Sequence, residues 1–242
     1  MTDRQTDRQT DRQTDRQTDR QTDRQRQSFE YRLPLPKIEA LWNTINKYKR
    51  KRLKNIDFSV IASNCNGAFI LHVLGLQFRS PFVNLWLQPK DFIKFLGNLK
   101  HYMDTPLEFT TEEEIDYPIG LLDDVKIYFQ HYNSEDEALQ KWNERKARIN
   151  YDNLFVLFKE NSKVTKEDLI DFDKLDYQNK IVFTHKPYPD IKSAFYIRGF
   201  EDKGSVGDCF AYMPDKPYMK YYDQFDYVKW FNLGMEDESR KK

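Results

Sequence analysis

Short apolar segments of two kinds alternate along residues 57–231, and this alternation limits the folds open to the chain. Runs typical of strands occur at 58–62, 82–87, 125–129, 154–158, 181–184 and 194–197. Segments with helical spacing occur at 67–74, 89–103, 134–148, 165–175 and 221–231. Because strands separated by helices pair side by side in parallel, we predict an α/β fold with a mostly parallel sheet flanked by helices. It forms either one domain or two small α/β subdomains.

The segments outside this region set the predicted domain boundaries. Residues 2–25 are six copies of Thr-Asp-Arg-Gln, which has no apolar side chain to bury, so residues 1–27 are predicted to be a disordered tail. Residues 28–55 should hold an amphipathic helix, the α/β domain should span 56–234, and a charged tail should cover 235–242. The helix is predicted from apolar residues that recur every three or four positions, namely Ile38, Leu41, Trp42, Ile45 and Tyr48.

The tetrapeptide repeat has its simplest explanation in DNA. A four-nucleotide unit regains its reading frame after four codons, and repeated ACAG is translated as Thr-Asp-Arg-Gln. Such tracts gain or lose units during replication, and each slip shifts the frame and silences the gene. The tract resembles those of phase-variable genes in host-adapted bacteria, many of which build or decorate surface glycans. The alternative is a low-complexity linker without a role.

Charge and cysteine content restrict the class of protein. Lys and Arg together number 39, as do Asp and Glu, so no net field favours a nucleic-acid partner. Two distant cysteines without metal-ligand spacing indicate a reducing compartment and no metal site. No segment approaches the roughly 18 apolar residues of a membrane span, and the N-terminus is polar, unlike a signal peptide. We therefore predict a cytoplasmic protein.

A basic run at 47–54 ends the predicted N-terminal helix. Its lysines and arginines suit a solvated helix end, where cations complement the helix dipole. They could also contact lipid phosphates. We therefore predict at most a peripheral membrane contact through residues 47–54.

Residues that follow the predicted strands are the first candidates for a site, because ligands bind beyond the carboxyl ends of parallel strands. Cys65 follows the first strand and precedes a helix, where the dipole lowers a thiol pKa. Asn64, Asn66 and nearby amides could donate hydrogen bonds to an oxyanion. This arrangement predicts a nucleophile for acyl transfer. Alternatively, Cys65 packs as a small apolar side chain and an asparagine caps the helix.

Two histidines end predicted strands and are candidate general bases. His131 and His185 are both expected on the same sheet edge as Cys65. Each could instead be fixed by backbone hydrogen bonds. Lys186 and Tyr188 lie in the loop after His185, where the tyrosine could stack on a sugar or the loop could be purely structural.

A polar cluster between the helix at 134–148 and the following strand is a candidate anion site. Arg148 and Asn150 could together bind a phosphate or carboxylate, or the arginine could simply complement the helix C-terminus. The Asp123-Asp124 pair precedes a strand, which is the wrong end for the active edge. The sequence contains no glycine-rich nucleotide loop and no zinc-protease motif.

Several short motifs occur together from about Asn55 to Leu233. They are Ser63-Asn64-Cys65-Asn66-Gly67, Tyr117-Pro118-x-Gly120, His131-Tyr132, Trp142, Arg145-x-x-Arg148-Ile149-Asn150-Tyr151-Asp152-Asn153 and Phe183-Thr184-His185-Lys186-Pro187-Tyr188-Pro189.

This set resembles the bacterial family of exopolysaccharide biosynthesis proteins filed as domain of unknown function 1919. Members often have Asn-Cys-Trp-Gly where this chain has Asn64-Cys65-Asn66-Gly67. The family's position for His185 varies, so His131 ranks above it as the base. The resemblance implies a genomic setting among capsule and lipopolysaccharide genes. A looser similarity to capsule-locus acetyltransferases, which also place Asn-Cys after a first strand, implies acyl transfer by analogy.

Three hypotheses follow. The first is a group-transfer enzyme, such as an acyltransferase, that acts on a polysaccharide or lipid-linked sugar precursor with a donor of the acyl-coenzyme A type. Cys65 is then the nucleophile, His131 the base, and Arg148 binds an anionic group. The second is a glycosyltransferase-like enzyme that uses a nucleotide sugar. The third is a non-catalytic factor in polysaccharide assembly.

Overall fold

A computed structural model describes the backbone of residues 35–238 and, within that range, the side chains of residues 40–233. The predicted disordered tail at 1–27 and residues 239–242 of the predicted charged tail lie outside these residues. By packing, the described residues divide into two compact units. The sheet unit comprises 57–68 and 79–207, and the terminal unit comprises 35–56, 69–78 and 208–238.

The elements alternate between helix and strand for much of the chain. In order they are α1 (Leu35–Arg52), β1 (Ser59–Ala62), α2 (Asn66–Leu74), α3 (Pro89–Gly97), α4 (Leu99–Asp104), β2 (Glu108–Thr110), β3 (Ile119–Leu122), β4 (Val125–Tyr128), α5 (Glu135–Lys146), β5 (Leu154–Lys159), α6 (Lys166–Lys174), β6 (Asn179–Thr184), β7 (Ala194–Tyr196), β8 (Tyr212–Met213), β9 (Lys216–Lys220) and α7 (Tyr227–Glu238). Short 3-10 turns cover Glu201–Lys203 and Tyr221–Gln224.

A four-stranded parallel sheet with the strand order β1-β5-β6-β7 is the largest sheet. Its register places Ile61 beside Val156 and Leu157 beside Ile181. β1 is buried along its whole length, as expected for a parallel strand that is covered on both faces. The predicted α/β class and parallel sheet are confirmed.

An antiparallel sheet of β2, β3 and β4 accompanies the parallel sheet in the sheet unit. Residue Trp86 adds a single bridge to β4, where its backbone exchanges hydrogen bonds of 2.9 and 3.0 Å with Tyr128. The two rings stack with centroids 4.0 Å apart. Asp123, with φ of 56°, occupies the turn between β3 and β4. The sequence predicted β4, but not that it belongs to a separate sheet.

Helix caps in the sheet unit follow the sequence signals. Thr165 and Asp168 form both halves of a capping box at the start of α6. Ser134 accepts a hydrogen bond from the Glu137 amide at the start of α5. Both predicted helix starts are therefore confirmed.

Three predicted elements differ in the structure. The predicted helix at 221–231 is replaced by a 3-10 turn at Tyr221–Gln224 and by α7, which begins at Tyr227. The other two are the segments at 82–87 and 89–103. The apolar run at 82–87 is not a strand, because Asn84 adopts φ of 58° and turns the chain out of extended geometry. The predicted helix at 89–103 is divided into α3 and α4, because Asn98 leaves helical geometry with φ of −141°. Both segments still contribute buried side chains to the core.

The terminal unit is built from α1, residues 69–78, an antiparallel hairpin of β8 and β9, and α7. α1 packs against β9. The buried Lys220 ammonium lies 5.3–5.7 Å from the centroids of the rings of Trp42, Phe69 and Tyr212. Cation–π contacts and aromatic packing therefore stabilise this unit. No helix within residues 35–238 combines the length and apolar character needed to cross a bilayer.

Candidate active site

The carboxyl ends of β1, β5 and β6 place three titratable side chains on one edge of the parallel sheet. Cys65 lies three residues beyond β1, Glu160 directly follows β5, and His185 directly follows β6. Since these strands are neighbours in the order β1-β5-β6, their following residues meet at the same edge. The sequence predicted this position for Cys65 and His185.

Ser63 fixes the start of the Cys65 loop. Its amide donates to the Leu157 carbonyl at 3.0 Å, and its hydroxyl accepts from the Lys159 amide at 3.1 Å. Its carbonyl accepts from the Leu87 amide at 3.1 Å. The loop is thereby held to β5 on one side and to the segment after Trp86 on the other.

The pKa of the Cys65 thiol is shifted upward, whereas the helix dipole was expected to lower it. Burial raises its pKa to about 12, while a backbone hydrogen bond and the charge of Lys159 offset only part of this effect. At this position desolvation outweighs the electrostatic effect of the start of α2, so the pKa of the thiol rises where the helix terminus alone would lower it.

The two asparagines beside Cys65 are engaged within the loop. The Asn64 side-chain oxygen accepts from the Asn66 amide at 3.0 Å, so that amide is already used. Asn66 is buried, and its side-chain oxygen has no hydrogen-bond partner among the described residues. A Cβ on Gly67 would lie 2.7 Å from the Ala62 Cβ, which explains the glycine at this position. One of the predicted oxyanion donors, the Asn66 amide, therefore already has a hydrogen-bond partner.

Glu160 and His185 form a buried pair. The carboxylate Oε2 of Glu160 lies 2.6 Å from Nδ1 of His185 and accepts from the His185 amide at 2.7 Å. Glu160 and His185 are only 3% and 7% exposed, respectively. Because an ionised carboxylate only accepts hydrogen bonds, Nδ1–H is the donor and the imidazole orientation is fixed.

The loop after His185 adds a third group to this pair. The Tyr188 hydroxyl donates to Glu160 Oε1 at 3.3 Å, so both oxygens of the carboxylate have partners. Burial, and then the charge of Glu160, raises the pKa of Tyr188. Lys186 is exposed, and its ammonium lies 5.4 Å from the centroid of the Tyr188 ring. The structure therefore brings the predicted residues His185, Lys186 and Tyr188 together.

His131 does not lie on the edge predicted for it. It follows β4, which belongs to the antiparallel sheet, so the prediction that it ends a strand of the parallel sheet is wrong. The sequence could not reveal this because the alternation at 125–129 fits a strand of either sheet type. His131 is half-buried, and burial lowers its pKa.

Tyr132, the neighbour of His131, does approach the Cys65 loop. Burial chiefly raises the pKa of Tyr132, and Cys65 adds to this effect. Its hydroxyl donates to the Val83 carbonyl at 2.8 Å and accepts from the buried Arg145 at 2.7 Å. These hydrogen bonds give Tyr132 and Arg145 a structural role.

Arg148 and Asn150 lie before β5, and Asn150 binds the start of β1. Its amide donates to Ser59 Oγ at 2.9 Å, and its side chain donates to the Asp57 carbonyl at 3.0 Å. These contacts lie at the start of β1, whereas Cys65 follows the end of that strand. The structure therefore places the predicted anion site at the edge opposite Cys65 and His185.

Glu160 is the site residue that the sequence analysis missed. A single glutamate between a lysine and an asparagine has no motif, and its importance depends on the neighbouring strand. The available signal was its position directly after a predicted strand. Within residues 35–238, no group of three or more His, Cys, Asp or Glu side chains is arranged to hold a metal ion.

Residues 38–232 match the family described as Domain of unknown function (DUF1919). The chain belongs to this family. An uncharacterized protein of Haemophilus influenzae is 48% identical over 204 residues, which cover 82% of this chain and 98% of that protein. The Thr-Asp-Arg-Gln repeat lies outside the range that matches the family.

Proposed function

We propose that this DUF1919 protein is a group-transfer enzyme that modifies a surface-polysaccharide precursor, with His185 as its general base and Glu160 as the residue that positions it. The observation that carries the proposal is the 2.6 Å contact between Glu160 Oε2 and His185 Nδ1 at the carboxyl edge of the parallel sheet. The backbone of His185 is held by the same oxygen, so ring and main chain are fixed together.

The pair has the properties that general-base catalysis requires. The carboxylate holds the imidazole in one tautomer and stabilises the positive charge that develops when Nε2 takes a proton. Among the described residues, no hydrogen-bond partner contacts His185 Nε2. That nitrogen is therefore the proton acceptor in the proposed reaction.

The proposed reaction is direct transfer to a hydroxyl group of the precursor. His185 Nε2 removes the hydroxyl proton while the oxygen attacks the acyl carbon of a thioester donor of the acyl-coenzyme A type. The carbon–sulfur bond breaks, an ester forms, and the proton passes from His185 to the departing sulfur. No oxidation or reduction takes place. His131 is not part of this proposal.

Cys65 has no covalent role in the proposed reaction. A thiol with a pKa of about 12 is protonated at neutral pH and is a poor nucleophile. The base at the same edge can activate an acceptor hydroxyl without a cysteine intermediate. The acyl group thus moves in one step from donor to acceptor.

The biological setting is proposed from the sequence. The motifs shared with exopolysaccharide biosynthesis proteins support a role in capsule, exopolysaccharide or lipopolysaccharide synthesis in the cytoplasm. The sixfold repeat supports phase variation, since a tract of four-nucleotide units shifts the frame with each slip. Phase-variable modification of surface glycans would account for both the shared motifs and the repeat.

Mass analysis of surface glycan from cells with and without the intact gene tests the proposed function. We expect the glycan from cells with the gene to be heavier by an acyl group that mild alkali removes. An added sugar residue would instead favour a glycosyltransferase that uses a nucleotide sugar. Identical glycans from both strains would contradict a role in glycan modification.

A further inference from the structure

The outward face of α1 combines apolar and cationic side chains. Leu41 and Tyr48 are 41% and 62% exposed, and they lie seven residues apart, which places them on one face two turns apart. Lys51 follows Tyr48 by three residues and shares that face. The opposite face contains the buried Asn46 and packs against β9.

Two further apolar side chains lie at the end of this helix. Asn232 joins α7 to the residues after α1, since its side-chain oxygen accepts from the Lys54 and Asn55 amides at 2.8 and 3.2 Å. Ile56 and Leu233, which directly follow Asn55 and Asn232, are 67% and 44% exposed. We call Leu41 and Tyr48 the apolar face of the terminal unit, and Ile56 and Leu233 are exposed apolar side chains near the end of the same helix.

Uncompensated positive charge surrounds the apolar face. Lys49 pairs with Asp223 and Arg52 with Asp226, each at 2.5 Å, so these two acids are neutralised. Lys47, Lys51 and Lys54 are exposed, and none of them has an acidic partner within the part of the chain that the structure describes.

We propose that the terminal unit docks on an anionic lipid surface through the apolar face, with Lys47, Lys51 and Lys54 bound to lipid phosphates. Apolar side chains flanked by lysines are the pattern of helices that lie in the membrane interface. A second copy of the chain fits less well, because a two-fold interface would place the same cations against each other. This proposal goes beyond the proposed enzyme activity and does not depend on His185.

Sedimentation of the full chain with lipid vesicles tests the proposal. Vesicles of phosphatidylcholine with phosphatidylglycerol should bind the protein, vesicles of phosphatidylcholine alone should bind it much less, and high salt should release it. Lys47→Gln with Lys51→Gln should weaken binding roughly 25-fold, since each cation near an anionic surface contributes a factor of roughly five. Leu41→Ser with Tyr48→Ser should weaken it several-fold.

Matched variants in the sheet unit provide the control. Lys100→Gln and Tyr151→Ser change an exposed lysine and a 52% exposed tyrosine, and they should bind vesicles as the unaltered protein does. Thermal unfolding checks that every variant is folded. The proposal is overturned if phosphatidylglycerol does not increase binding, or if the α1 variants bind like the controls. It is equally overturned if light scattering shows that Tyr48→Ser splits a dimer.

Discussion

Glu160 and His185 are joined by two contacts to one carboxylate oxygen, at 2.6 Å from the imidazole Nδ1 and at 2.7 Å from the backbone nitrogen. β5 and β6 supply one residue each, so the pair exists only when these strands are adjacent in the sheet. The parallel sheet thus brings a buried carboxylate and an imidazole together from residues that lie 25 positions apart in the sequence.

The tautomer of His185 follows from this pair. We expect nitrogen NMR of the ring to show the proton on Nδ1, because the carboxylate of Glu160 accepts from that atom. In Glu160→Gln the amide can donate as well as accept, so part of the population should move its proton to Nε2. A ring that is protonated on Nε2 in the unaltered protein would contradict the assigned role.

Glu160→Gln should also reduce stability. The substitution removes a buried charge-assisted contact and is expected to lower the free energy of unfolding by about 1–3 kcal/mol. Urea unfolding followed by circular dichroism measures this difference. His101→Gln, at an exposed side chain 3.2 Å from Asp123, should change stability by much less and is the matched control.

Cys65 should react slowly with alkylating agents at neutral pH. Its pKa is raised to about 12, so the thiolate fraction is small below pH 9 and grows as the pH rises toward 12. Because the folded pKa exceeds that of an unfolded cysteine, about 8.5, this group favours the folded state below pH 8.5 and loses that contribution above it. Mass spectrometry of iodoacetamide labelling against pH, with urea-unfolded protein as reference, checks the expectation. A labelling midpoint for Cys65 below pH 8.5 would contradict this expectation and support Cys65 as a nucleophile.

Gly120→Ala should destabilise the sheet unit. A Cβ on Gly120 would lie 2.6 Å from Leu107 Cδ1 and 2.8 Å from Phe129 Cε2, and the Phe129 ring is fully buried. The expected loss is about 1–3 kcal/mol. Gly97→Ala is the control, since its nearest neighbour would be 4.0 Å away. Equal melting temperatures for the two variants would show that the core around Phe129 has room to adjust.

Asn150→Asp should affect stability and leave glycan modification intact. The aspartate keeps an oxygen that can accept from the Asp152 amide but cannot donate to the Asp57 carbonyl. We expect a loss of about 1 kcal/mol in unfolding experiments and unchanged surface glycan. A folded variant that no longer modifies glycan would show that Asn150 takes part in the active site.

Periodic patterns predicted the regular elements well. β1, β5 and β6 and the capped helices α5 and α6 lie where apolar alternation and capping residues placed them. These signals are local, so a single sequence contains them. Patterns failed where the chain leaves regular geometry, as at Asn84 with φ of 58°, because an apolar run does not report its backbone angles.

The site was harder to predict than the fold. His185 and Cys65 were found because they follow predicted strands. His131 was misplaced because a strand pattern does not say which sheet the strand joins. Glu160 was missed because its partner comes from the neighbouring strand, and strand order is a property of the tertiary structure.

The mass of surface glycan from strains that carry His185→Gln or Glu160→Gln tests the central claim most directly. The matched strain carries His101→Gln, which alters an exposed histidine away from the proposed base. If His185 is the general base, His185→Gln glycan should lack the added group, Glu160→Gln glycan should carry little of it, and His101→Gln glycan should be unchanged. A folded, normally expressed His185→Gln protein that still gives fully modified glycan would contradict the account.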